Sequence, residues 1–91
     1  MVFKAAAVQM CSGVDPARNA VSMARLVREA AAQGATYIQT PEMTGMLQRD
    51  RAAAKAVLRG EADDIIVNTA SELAAELRIY LHVGSTAIAL D

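Results

Sequence analysis

Apolar and polar positions alternate between two periods along the chain, and that change of period predicts the order of elements. Residues 2 to 10 form an apolar run interrupted only by Lys4 and Gln9. Its length, and the Ser12-Gly13 turn signal after it, predict a strand buried on both faces. Asp15 then suits a helix N-cap, and Pro16 suits the first helical position, where a missing N–H costs nothing. From there Ala20, Met23, Ala24, Val27, Ala30 and Ala31 recur on one helical face, with Arg18, Ser22, Arg25 and Glu29 opposite. Gly34 ends the helix at C′.

Ala35 to Thr40 reads as a second strand, closed by Pro41. Proline has no N–H for a central ladder and disfavours the helical region at Thr40. The chain should therefore arrive extended, stop at Pro41 and leave Glu42 at the strand's carboxyl edge. Such a β-α-β unit is parallel and right-handed, so Met10 and Cys11 should share that edge with Glu42. Met43 to Leu47 is expected to be irregular, and Arg51 to Leu58 to form a short helix ending at Gly60. Asp63 or Asp64 should cap a second long helix that buries Ile66, Ala70, Leu73, Ala74 and Leu77 and leaves Asn68, Glu72 and Glu76 outside. Tyr80 to Ala89 reads as a third strand, with Gly84 permitting close backbone approach. Three strands and two principal helices, both helices on one sheet face, make an α/β chain.

Composition narrows this picture. Ninety-one residues allow one small domain at most. The chain is 54% hydrophobic, but 20 residues are alanine and only Phe3, Tyr37 and Tyr80 are aromatic. That is a thin core, and it suggests one layer of something larger. A net charge of −1 gives no basic footprint for nucleic acid. The single Cys11 needs no oxidising compartment. The amino terminus imitates a signal peptide only until Gln9 interrupts it, and no run approaches a membrane span. A cytoplasmic protein without membrane or nucleic-acid partners is expected.

Few residues are candidates for chemistry. No metal-ligand spacing occurs with one Cys and one His, and no glycine-rich phosphate loop is present. His82 lies within the third strand and is expected to be packed or partly exposed. Cys11 has no sequence neighbour that would ionise it, so a small buried hydrophobe is the expectation for it. Glu42 stands where open α/β sheets hold catalytic groups. On its own it reads first as a solvated loop carboxylate, since surface loops are rich in charge.

Four pieces change that balance: Val8-Gln9-Met10 ending the first strand, Asn19 in the first helix, Gln33-Gly34-Ala35 leading through a strand to Pro41-Glu42, and Val83-Gly84-Ser85. In this order they resemble the amino-terminal part of the nitrilase superfamily, the carbon–nitrogen hydrolases, over essentially all 91 residues. The resemblance implies part of an α-β-β-α sandwich, in which helices cover two stacked sheets and subunits pair into larger homo-oligomers. It implies a Glu-Lys-Cys catalytic set with Glu42 as general base, acting on a small-molecule amide ahead of a nitrile, without organic cofactor or metal. Lys4 and Lys55 do not match the family's lysine, and its cysteine follows a later strand. Both partners are therefore expected beyond residue 91, and the segment alone is expected to be an incomplete, inactive part of one domain. A non-catalytic α/β scaffold and a small-ligand binding module remain open alternatives.

Overall fold

A computed structural model describes residues 2–90. Strand β1 (Ala5–Ala7) leads to helix α1 (Pro16–Ala32), strand β2 (Tyr37–Thr40), helix α2 (Arg51–Val57), a 3-10 turn at Glu61–Asp63, helix α3 (Ile65–Leu77) and strand β3 (Tyr80–Val83). The strands form one parallel sheet in the order β1-β2-β3. The architecture is a small α/β domain of three parallel strands and three helices.

Both long helices begin and end for local reasons. The Asp15 carboxylate accepts from Ala17 N, Pro16 opens α1, and Gly34 follows the helix at φ 96°, in the left-handed region that favours glycine. Of the two aspartates before α3, Asp64 is the cap, accepting from Val67 N at 2.9 Å. Helix α3 ends without a glycine: Arg78 takes a left-handed φ of 54° and the chain passes straight into β3. Asp50 caps α2 through Ala52 and Ala53 N–H.

Both long helices lie on one face of the sheet and pack against each other. Met23 and Val27 of α1 meet Ile66 and Leu73 of α3 over Ile38 of the central strand, with Ala6, Val8, Met10, Leu81 and Val83 alongside. The parallel register aligns Ala6, Ile38 and Leu81 on this covered face, and Ala5, Tyr37 and Tyr80 on the other. No helix covers the second face among the described residues, and there Phe3 is 73% and Tyr80 78% exposed.

All three strands are shorter than expected; β2 begins at Tyr37, two residues after Ala35, and the other two differ more. The first was expected over residues 2–10 with both faces buried; it pairs over Ala5–Ala7, and Ala5 and Ala7 are exposed. It has one neighbouring strand and helices on one side only, so half of the apolar run has nothing to pack on. The third was expected to reach Ala89; it stops at Val83. Gly84 turns across the end of β2, donating from its N to Thr40 O at 3.1 Å. The following segment then leaves the ladder, and Ala89 N donates to Arg59 O instead.

Candidate functional site

The carboxyl ends of all three strands open onto one edge of the sheet, as parallel pairing requires. Glu42 stands on this rim, exposed, immediately after Pro41. The loop around it is held from both neighbouring strand exits. On the β3 side, Met43 N donates to Ser85 Oγ at 2.8 Å and Thr44 N to Ser85 O at 2.9 Å. Gly84 makes this approach possible: a Cβ there would lie 2.6 Å from Thr40 O and 2.7 Å from Pro41 O.

On the β1 side the holder is Asn19. Its amide nitrogen donates to Gly45 O at 2.7 Å and to Gly13 O at 3.0 Å, while its oxygen accepts from Gly13 N at 3.0 Å. Ser12 Oγ donates to Thr44 O at 3.3 Å, and Leu47 N to Gly13 O at 2.8 Å.

Beneath the loop, Thr44 Oγ1 donates to Pro41 O at 2.6 Å. Its one proton is thereby used, so Thr40 Oγ1 is the donor in the 2.9 Å bond to Thr44 Oγ1. Both threonines are buried. Gly45 is required next to them, because a side chain there would strike Thr86 Oγ1 and Ile66. Among the described residues, no buried side-chain nitrogen or oxygen lacks a partner. The rim is a fully satisfied polar network, which favours one arrangement of the loop.

The other candidates fall outside this network. Cys11 is exposed, which corrects the expectation of a buried hydrophobe. It follows β1, between the half-buried Met10 and Ser12. His82 is exposed on the open sheet face, where Nδ1 and the Tyr37 hydroxyl are hydrogen-bonded at 3.0 Å with the rings edge to face. Lys4 directly precedes β1, at the amino end of the strand, and donates to Gln33 O at the end of α1. Lys55 lies in α2, all of whose residues are at least partly exposed.

The ion pairs found among the described residues, Arg18–Asp15, Arg25–Glu29 and Arg28–Glu76, do not involve Glu42. No cluster of three or more His, Cys, Asp or Glu side chains is placed to hold a metal among these residues. No described helix is long and apolar enough to cross a membrane. A cleft of about 360 Å³ runs beside the free edge of β1, and one of about 240 Å³ lies behind the rim between Met46, Leu58 and Ile65. Glu42 lines neither and stands exposed on the rim.

Asn19 had a sequence signal of its own. It stands four residues before Met23 and eight before Val27, on the row that the helix buries. A polar side chain on such a row must find partners inside the fold. Thr40 and Thr44 gave no comparable signal, since their partners are brought close only by the turn after Pro41. No protein-family model matches the chain, and a search of curated proteins returns no match.

Proposed function

We propose that these residues are the amino-terminal part of a carbon–nitrogen hydrolase of the nitrilase type, in which Glu42 is the general base. One observation carries the reading: Glu42 directly follows Pro41 at the carboxyl end of the central parallel strand, on a loop tied to both flanking strand exits. The ordered pieces Val8-Gln9-Met10, Asn19, Pro41-Glu42 and Val83-Gly84-Ser85 support it through the family resemblance. In the intact protein a second sheet would cover the open face bearing Tyr37 and Tyr80, completing the α-β-β-α sandwich.

In the proposed reaction Glu42 takes the proton of a cysteine thiol supplied beyond residue 91. The thiolate adds to the carbon of a small amide, and a lysine, also from beyond residue 91, stabilises the oxyanion that develops. Collapse expels the amine, which leaves with the proton held by Glu42, and a thioester remains. Glu42 then takes a proton from water as it attacks the thioester, and the acid and the free thiol are released. Proton transfer of this kind contributes roughly 10²–10⁴-fold.

The test is to offer the intact protein a panel of small carboxamides and nitriles, following ammonia release and the mass of the trapped protein. Amide turnover, with an acyl adduct on a cysteine beyond residue 91, is expected. Saturable binding without turnover would instead make the rim a ligand-binding site.

A further inference from the structure

Glu42 is exposed, so packing does not aim its carboxylate. The backbone on either side sets the direction of its Cα–Cβ bond, and so the region the carboxylate can reach. Before it, the fixed φ of Pro41 follows the buried Thr40. After it, Met43 holds a left-handed φ of 52°, a conformation that residues other than glycine, asparagine and aspartate rarely adopt. A strained residue of this kind persists only where its surroundings over-determine it. Ser85 restrains it from the β3 side, accepting from Met43 N and Thr44 N. From the β1 side the shortest tie is that of Asn19, whose 2.7 Å bond to Gly45 O fastens the same loop to α1, beside the longer bonds of Ser12 Oγ to Thr44 O and Leu47 N to Gly13 O.

Asn19 suits this task because it is itself immobile. It is 4% exposed, it is anchored on the first turn of α1, and its amide is locked to both backbone groups of Gly13. One planar group thereby joins the chain leaving β1 to the chain leaving β2, across 26 residues of sequence. The task needs an acceptor and two donors within one short side chain. Aspartate keeps the acceptor but loses both donors, and alanine loses all three.

We propose that Asn19 is a positioning residue for Glu42: its clamp on Gly45 holds the 42–47 loop in the conformation that aims the base. This rests on the general-base reading of Glu42, and its test separates the two. In the full-length protein, Asn19→Asp and Asn19→Ala are compared with wild type and with Glu42→Gln, using steady-state amide hydrolysis and hydrogen–deuterium exchange by mass spectrometry. In Asn19→Asp, kcat is expected to fall at least about tenfold with KM within about threefold, since misplacing a reacting group costs rate at once. Exchange across residues 42–47 is expected to rise about tenfold or more, while the middle of α1 and strand β2 keep wild-type protection.

Unchanged exchange across 42–47, or a loosened loop with kcat within about twofold of wild type, would overturn the proposal. Loss of protection throughout the domain in both Asn19 variants would also overturn it, by making Asn19 a general structural residue. If Glu42→Gln kept full turnover, the base assignment would fall by itself, and the exchange result would still decide whether Asn19 holds the loop.

Discussion

The two faces of the three-stranded sheet are built from alternate residues of the same short strands, yet they meet different surroundings. Ile38, Leu81 and Val83 point to the side where α1 and α3 pack together, and Met23, Val27, Ile66 and Leu73 close over them. One residue along, Tyr37, Tyr80, Gln39 and His82 point to a side that no described element covers. A scattered exposed apolar residue means little, but aromatic residues gathered on one face, with Phe3 beside them, mark a surface suited to a further layer. Helix packing thus accounts for one face alone. The proposed second sheet accounts for the other.

The largest effect that can break this comparison comes from truncating one residue on each face of the intact protein. Leu73→Ala removes a side chain that is 2% exposed and is expected to cost about 2–5 kcal/mol in denaturant unfolding. Tyr80→Ala is expected to cost about as much if a second sheet covers it. A cost within about 0.5 kcal/mol, the usual value for a surface position, would show that the open face stays in water.

Gly84→Ala acts where both faces run into the rim. The added Cβ would fall 2.6–2.7 Å from Thr40 and Pro41 backbone atoms, forcing the β3 exit away from the loop that carries Glu42. An overpacking cost of about 1–3 kcal/mol is expected in the same unfolding measurement. A neutral result would mean that the two strand exits can separate freely.

These sites differ in how far the sequence foretells them. Helix α1 was legible at both ends, because Asp15, Pro16 and Gly34 each carry a local backbone reason for their place. So was the stop at Pro41 that leaves Glu42 on the rim, and so was the close approach at Gly84. The strand lengths were not. In stretches such as 2–10 and 80–89, periodicity does not distinguish residues paired in a ladder from residues lying beyond it. The rim network was invisible to periodicity for another reason. The side chains of Asn19, Ser12 and Ser85 bond the backbone of Gly45, Thr44 and Met43 across 26 to 42 residues, and only the assembled parallel topology brings them together.

Smaller effects sharpen the same contrast. Cys11 is exposed, outside both the helix layer and the rim network, so Cys11→Ala should change stability by no more than about 0.5 kcal/mol. Peptide mass mapping under turnover should find no acyl group on it; a thioester there would move the nucleophile into this chain.

The Arg28–Glu76 pair, 2.7 Å apart, bridges α1 and α3 on the outside of the covered face. The hydrogen bond from Arg28, and then its charge, hold the Glu76 carboxyl below its ordinary value. A carboxylate depressed on folding stabilises above its unfolded value, and that contribution is lost as pH falls through the folded one. Both groups are in solvent, so Glu76→Gln should lower Tm by about 2 °C or less at neutral pH and low salt. The difference should vanish in acid or in 1 M salt. A difference that survives both would show a pair shielded from water.

The most direct measurement is steady-state amide hydrolysis by Glu42→Gln in the intact protein, with substrate affinity and folding checked in parallel. The substitution keeps the shape of the side chain and removes its basicity. If Glu42 is the general base, kcat should fall by two orders of magnitude or more, within the roughly 10²–10⁴-fold range of proton-transfer catalysis, while substrate affinity changes far less. A folded Glu42→Gln protein that keeps more than about a tenth of wild-type kcat would contradict it, and Glu42 would be a solvated carboxylate on the rim of the sheet.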